Sequence, residues 1–420
     1  MAAHSGRSEG VNLIAYTQAE SGVGELGRIL LGMLHAAAIP VSVFRCRAAP
    51  SRQAQGFKVR AKRLPFERNL VCAPAAELPK IMQSLRNTIL AGMPTIGYWP
   101  WEVDVFPDDM AESSRLVTEI WTLSRHAAAA IAGAVSVPVH VIPPFVEPSA
   151  ANPTSREDLG LPPGHLFLFC FDMFSVFERK NPLGVITAFK IAFPEPTDAT
   201  LLIKCINGLH SPEGMAKLRA ATKGRPDILL WGEYFAPRDQ RALIATCDSY
   251  VSLHRAEGFG FTMAEAMSHG KVVIATGYSG NLEFMTPANS ILVPYTLIPV
   301  GPRSNPYPPT ALWADPDVSK AAAAMRTAVG DPDLSAQLGG RARADIATLH
   351  DRASRAALLR DRFTTEVSAF RPERTGLERL VQGELARYRL GPPPRPRQLA
   401  SAALRRSRRL AALLRRSMAA

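Results

Sequence analysis

No run of eighteen uninterrupted apolar residues occurs in the 420-residue chain, which excludes a helix spanning a membrane. Cysteine is sparse. The five thiols, Cys46, Cys72, Cys170, Cys205 and Cys247, are scattered and form no C-x-x-C pair, so neither a disulfide framework nor a zinc site is indicated. A reducing cytoplasm is the compartment this usage predicts. Cys170 and Cys205 lie inside apolar runs, FLFCF and LLIKCI, where a buried free thiol is expected. Residues 1–12 are polar and small, without the apolar core of a secretory leader. Acidic residues are missing from position 391 onward, where eight arginines stand with no carboxylate. The formal charge of +12 is therefore mostly a tail, and residues 1–390 carry +4. A nucleic-acid partner rests on overall charge alone, and that distribution speaks against one.

What is present is a globular composition, 47% hydrophobic and 20% charged, in a chain too long for one compact core. The first half opens with VNLIAYT, a buried-strand pattern, followed by a glycine-rich turn. A helical pattern from Glu25 to about Ala38 and a second strand, PVSVFRC, come next. Strand–turn–helix–strand is the unit of a parallel sheet covered by helices. TIGYW, EIWTLS and VHVIPPF continue it. Six prolines between 143 and 163 mark an interdomain linker. The alternation then restarts with HLFLFCFDM, PLGVITAFKIAF, TLLIKCI, PEGMAKLRAAT, DILLW, RDQRALIATC, SYVSLH, FTMAEAMSH and KVVIAT. Residues 294–309 read as a long proline-rich loop, and 318 to about 370 as mostly helical. The predicted architecture is α/β, with two domains of parallel sheet facing a cleft, a natural ligand site.

Two glycine motifs open helices. Gly22-Val23-Gly24-Glu25-Leu26-Gly27 is a literal G-x-G-x-x-G, in which glycines let backbone N–H groups approach an anion at the positive end of a helix. Four residues separate it from its strand, and the second strand ends in Arg45-Cys46-Arg47 with no acid, where a dinucleotide site has one. An NADP phosphate on Arg45 or Arg47 is thus one reading, and a turn required only for packing is another. The second motif, Glu257-Gly258-Phe259-Gly260-Phe261-Thr262-Met263-Ala264-Glu265, follows the strand SYVSLH. Free N–H groups and the helix dipole there suit a diphosphate. Two carboxylates beside it suit sugar hydroxyls, which donate to them.

The EGFGFTMAE segment and the block around it, from ILLWGEYF to GNLEFM, resemble the family 4 glycosyltransferases of the GT-B fold, with their E-x7-E signature. FDMFSVFERKNPLGVITAF is similar to that family's phosphate-binding segment. SGVGELGRILLGMLHAAAIPV, GYWPWEVDVFP and EIWTLS resemble a bacterial polysaccharide-associated branch. The likeness covers residues 11 to 329 and leaves the tail out. It implies two Rossmann-like domains, 1–150 for the acceptor and 151–345 for a nucleotide-sugar donor. A helical segment, 346–390, and a basic tail, 391–420, follow them. The implied activity is retaining transfer of a hexose, mannosyl-type or similar, to a carbohydrate or lipid-linked glycan in polysaccharide or glycolipid biosynthesis. No cofactor or metal is implied.

Carried over, the likeness gives Glu257 the donor sugar and the charge at its anomeric carbon. It gives Gly258, Phe259 and Gly260 backbone contacts to sugar and diphosphate, Glu265 the ribose diol and Lys180 the leaving diphosphate. Gly22 and Gly24 would cap that diphosphate from the other domain. The family commonly has an arginine six positions before the lysine. Phe174 stands there, and Arg179 is the substitute, with its direction open. Some members have a histidine where Trp99 stands. Trp99 and Trp101 either stack on an acceptor sugar or pack beneath the cleft, and Glu102 is the acceptor-hydroxyl candidate.

Asp315-Pro316-Asp317 and Asp331-Pro332-Asp333 each form D-x-D, but both precede helical patterns. An aspartate cap with proline at the first helical position explains each without a metal. His126 is expected on a helix surface or partly buried. In the tail, residues 397–417 place Leu399, Ala403, Leu410, Leu413 and Leu414 on one helical face, with most arginines opposite. That pattern predicts peripheral membrane attachment, and a solvated tail is the alternative. Beside the glycosyltransferase stand an NADP-dependent oxidoreductase using Gly22, Gly24 and Gly27, and a nucleic-acid-binding protein.

Overall fold

A computed structural model describes residues 10–46, 51–56, 64–85, 93–148 and 155–364. The first half runs β1 (Val11–Ala15), α1 (Gly22–Ala36), β2 (Val41–Arg45), β3 (Asn69–Cys72), α2 (Leu78–Ser84), β4 (Thr95–Tyr98), α3 (Asp108–Ala111), β5 (Glu119–Thr122), α4 (Arg125–Ala132) and β6 (Val139–Val141). The second begins β7 (Leu166–Asp172), α5 (Phe177–Lys180), α6 (Pro182–Ala192), β8 (Thr200–Ile206), α7 (Pro212–Thr222), β9 (Ile228–Trp231) and α8 (Pro237–Thr246). It continues β10 (Ser249–Ser252), α9 (Phe261–Ser268), β11 (Val272–Thr276), β12 (Ile291–Val293), β13 (Tyr295–Pro299) and β14 (Leu312–Pro316). Three helices follow: α10 (Val318–Gly330), α11 (Pro332–Leu349) and α12 (Arg352–Thr364).

The strands form two six-stranded parallel sheets, ordered β2-β1-β3-β4-β5-β6 and β12-β11-β10-β7-β8-β9. Helices cover both faces, which is why runs such as VNLIA and LFLFCF are apolar without alternation. Each sheet reverses its strand order at one place, between β1 and β3 in the first and between β10 and β7 in the second. Crevices open at the carboxyl ends of strands at such switch points.

Several short elements were not foreseen, β3, β12 and the β13–β14 pair among the strands and α2, α3 and α5 among the helices. Strand β3, the four residues NLVC, pairs with both β1 and β4. So short an apolar run carries no period of its own, and its place is secured by a buried amide ladder. Asn12 Nδ2 donates to Asn69 Oδ1 at 2.9 Å, and Asn69 Nδ2 to Thr95 Oγ1 at 3.2 Å. The stretch expected as a structureless loop, 294–309, instead contains β13, which pairs antiparallel with β14. Its prolines fall at the end of the strand and in the connection, where no ladder N–H is lost.

The last helix returns to the first half. Arg360 Nε donates to the Ala37 carbonyl at 3.1 Å and Arg68 Nη1 to the Phe363 carbonyl at 2.8 Å. Arg362 pairs with the buried Glu119, and Phe363 lies edge-on to Trp121 at 5.4 Å. The two crossings between the halves are tied together. Val146 N–H donates to the His350 carbonyl at 2.8 Å, and His350 Nδ1 lies 3.0 Å from the Pro144 carbonyl.

The D-x-D pairs cap helices in different ways. Asp331 accepts from Leu334 N–H with Pro332 at the first helical position, as the sequence suggests. In the other pair it is Asp317 that caps, accepting from Lys320 N–H, while Pro316 ends β14 and Asp315 pairs with Arg255 at 2.9 Å. The basic tail, including 397–417, lies outside the described residues. Among the described residues, no helix is long and apolar enough to cross a membrane.

Candidate functional site

The carboxyl ends of β10 and β7 meet at the second sheet's switch point, so residues 253–260 lie beside α5. Four ionisable side chains converge there. Glu257, 8% exposed, receives the Lys180 ammonium on Oε1, and Arg179 Nη1 stands 3.4 Å from Oε2. Arg179 is itself buried and donates to the Ala256 carbonyl at 2.8 Å. The side chain whose direction the sequence left open thus points inward. Its Nη2 faces Glu102 Oε1, from the first domain, at 3.8 Å. Phe174, at the usual arginine position, is partly exposed with its ring 4.7 Å from His210.

Burial pushes the Glu257 carboxyl up, but the Lys180 and Arg179 cations outweigh it and hold it at about 2. Glu257 is therefore a permanent anion near neutral pH. Lys180 is shifted down, because burial and the neighbouring Arg179 outweigh the attraction of Glu257.

The glycine loop is shaped by close approaches. Gly260 has φ +95°, a conformation side chains disfavour. A Cβ on Gly258 would lie 2.9 Å from the Trp101 carbonyl oxygen, so only glycine lets the first domain's loop come this close. The Phe259 ring is turned into the core against Phe284 at 4.9 Å and His350 at 5.4 Å. The N–H groups of the buried residues Gly258, Phe259 and Gly260 donate to no acceptor among the described residues. Here they stand at the amino end of α9, where an anion is favoured.

Glu265, one turn into α9, is half-buried, and its carboxylate has no hydrogen-bond partner among the described residues. Burial raises it to about 7, Glu25 of α1 adds to the rise and Arg241 opposes it. That coupling places the start of α1 opposite α9. Gly22 is exposed at the first turn of α1, with open space where a Cβ would be. Gly24 and Gly27 answer to packing. A Cβ on Gly24 would run into the Ala19 carbonyl oxygen, and one on Gly27 would lie 3.0 Å from the Ala15 Cβ.

Of the two roles open to Trp99, the structure shows the packing one. Its ring is 0% exposed and stacked on Phe106 at 5.9 Å, so it offers no face to an acceptor. The loop after β4 turns Glu102 toward the site and Trp99 beneath it. His126 of α4 is half-buried, its Nε2 2.9 Å from the Glu102 carbonyl and its ring 5.1 Å from that of Tyr278.

Three further residues support the site and carry no motif. Ser279 holds φ +77° and ψ −146°, a conformation costly for a serine, and its Oγ accepts from Glu257 N–H at 2.8 Å. His254 is buried, with Nε2 3.1 Å from Asn281 Oδ1 and Nδ1 3.1 Å from Ser252 Oγ. Burial lowers its pKa, so it is neutral, with Nε2 the donor. Tyr307, from the β13–β14 connection, donates to Glu102 Oε2 at 3.1 Å. The serine lies in TGYSG, inside the block that resembles the family, but its role shows only in its backbone angles.

Residues 166–297 match the family model described as Glycosyl transferases group 1. No curated protein sequence matches the chain. Among solved structures, HepE of Anabaena in complex with UDP and glucose is 15% identical with a TM-score of 0.60, covering 86% of this chain and 100% of that one. Sucrose-phosphate synthase from Thermosynechococcus elongatus is 15% identical with a TM-score of 0.61 over the same shares, 86% and 100%. A glycosyltransferase from Rickettsia africae is 13% identical with a TM-score of 0.59, covering 85% of this chain and 99% of that one. At such identities the likeness concerns the fold, which is the GT-B arrangement of two parallel α/β halves.

Proposed function

We propose that the chain is a retaining glycosyltransferase. It moves a hexose, mannosyl-type or similar, from a nucleotide-diphosphate sugar to a carbohydrate or lipid-linked glycan, in polysaccharide or glycolipid biosynthesis. One observation carries the reading. Glu257 is a buried anion shared by two cations, at the mouth of a helix-opening loop whose N–H groups lack acceptors among the described residues. The match of residues 166–297 to the glycosyl transferases group 1 model supports it, as does the UDP bound by the Anabaena neighbour.

The chemistry follows from charge. Cleaving the sugar–phosphate bond leaves positive charge at the anomeric carbon and negative charge on the diphosphate. Lys180, Arg179 and the amino end of α9 stabilise the second, and preorganised charge of this kind supplies much of a rate gain. An entering diphosphate competes with Glu257 for both cations and frees that carboxylate for the sugar hydroxyls. Arg179 Nε, buried and without a partner, is a further donor for the diphosphate. Glu265 takes the ribose diol, and the N–H groups of Gly258, Phe259 and Gly260 take sugar and diphosphate oxygens. Gly22 meets the diphosphate from the first domain, with Gly24 shaping the same turn. Glu102 takes the acceptor hydroxyl. A cleft closed around these groups limits the access of water and so favours transfer over hydrolysis.

The test is a thermal-shift panel of UDP, GDP, ADP and dTDP beside NADP. A nucleoside diphosphate is expected to raise the melting temperature, and Glu265→Ala to lose that shift. Stabilisation by NADP alone would overturn the assignment.

A further inference from the structure

The connection between β13 and β14 covers the site from the second domain. It is folded on itself, with Val300 N–H donating to the Ala311 carbonyl at 2.8 Å and Tyr307 N–H to the Ser304 carbonyl at 3.0 Å. The buried Tyr307 ring meets Trp101 edge-on at 5.4 Å. Its hydroxyl is 3.1 Å from Glu102 Oε2, and burial pushes the phenol well above its ordinary range, so the tyrosine is the donor. The first domain's loop is fastened again where Leu312 N–H donates to Asp104 Oδ1 at 2.7 Å. Glu102 is thus held between groups of the opposite domain, and its two oxygens differ. Oε2 is occupied by Tyr307. Oε1 faces Arg179 at 3.8 Å, beyond hydrogen-bond length, and keeps its accepting capacity beside the Arg179–Glu257 pair.

We propose that Tyr307 is a positioning residue for the incoming nucleophile: its hydroxyl fixes the Glu102 carboxylate so that Oε1 accepts from the hydroxyl, of a sugar or of water, that attacks at the site. This rests on the glycosyltransferase reading. The attacking oxygen bonds to the anomeric carbon while that carbon's bond to the diphosphate oxygen breaks. The electron pair leaves with the diphosphate, and the hydroxyl proton, held by Glu102 Oε1 during attack, passes from there to the diphosphate, so that Glu102 ends as it began. The contact joins the two halves across the cleft, so an opening of that cleft would break it and release Glu102.

The experiment needs no identified acceptor. UDP-glucose, GDP-mannose, ADP-glucose and dTDP-glucose are supplied with water as the only nucleophile, and release of nucleoside diphosphate is followed. Wild type, Tyr307→Phe, Glu102→Gln and the double variant are compared. The phenylalanine keeps the ring packing on Trp101, and the glutamine reads the same contact from the other domain. We expect kcat to fall about tenfold in each single variant, the size of one lost hydrogen bond to a charged group. The double variant is expected to be no slower than Glu102→Gln, because the two act as a unit. The KM for the nucleotide sugar stays within twofold. Losses that multiply, a raised KM, or a Tyr307→Phe variant as fast as wild type or faster would overturn the positioning role while leaving the glycosyltransferase reading intact. A wild type that binds none of the nucleotides overturns both.

Discussion

At the scale of single residues, the site sets two glutamates in opposite states. Glu257 is held as an anion at about 2 by the cations around it, whereas burial carries Glu265 to about 7 from an ordinary value of 4.5. The folded chain therefore retains a proton on Glu265 that the unfolded chain releases. Stability from this group is fullest below about 4.5, falls as pH rises toward 7 and is flat above. The expected outcome is that Glu265→Gln melts higher than wild type at pH 8, with the two converging at pH 5, in scans across that range. If Glu265 takes the ribose diol, its ionised form is the acceptor of both hydroxyls. Affinity for a nucleoside diphosphate then rises through pH 7 in wild type, and titration calorimetry of Glu265→Gln lacks that inflection. Both glutamates were marked by their spacing, but the difference between them was not. It depends on which cations the fold brings to one and withholds from the other.

At the scale of elements, α1 separates two meanings of one glycine motif. Gly24 and Gly27 are required by backbone and strand contacts, Gly24 by the Ala19 carbonyl and Gly27 by Ala15. Gly22 has open space around it. Gly24→Ala is expected to destabilise by about 2 kcal/mol, as overpacking does. Gly22→Ala is expected to leave stability unchanged or raise it by about 0.5 kcal/mol, since alanine is the better helix former. Denaturant titration checks both. A Gly22→Ala variant that folds normally yet loses nucleoside diphosphate binding would identify this turn as a ligand contact. The longer helices and most strands were legible because their apolar runs are long or periodic. NLVC was too short to register, and the β13–β14 pair hid behind prolines that sit at its ends.

For residues 10–364 taken as a whole, one apolar core joins the halves. It runs from Leu13 and Leu30 through Val146 and Leu166 to Phe259 and Leu359. Helix α12 closes it by returning to the first sheet, so the halves are expected to unfold together. Trp121, beside Phe363, reports the first sheet, and Trp313 of β14 reports the second domain. Single-tryptophan variants retaining one or the other should give coincident transitions. Leu359→Ala should lower both by the same amount, about 2–4 kcal/mol; separate midpoints would show the halves to be independent. By itself the sequence determined the two α/β halves, the glycine loop and the spacing of its glutamates, because strand and helix periods and turn glycines are local properties of the chain. Only the tertiary structure decided that Arg179 turns inward, that Trp99 turns away, and that Glu102 and Tyr307 meet. Those outcomes depend on residues as far apart as Glu102 and Tyr307, 205 positions, being brought across one cleft, where burial and charge, not local pattern, set which side chain faces which.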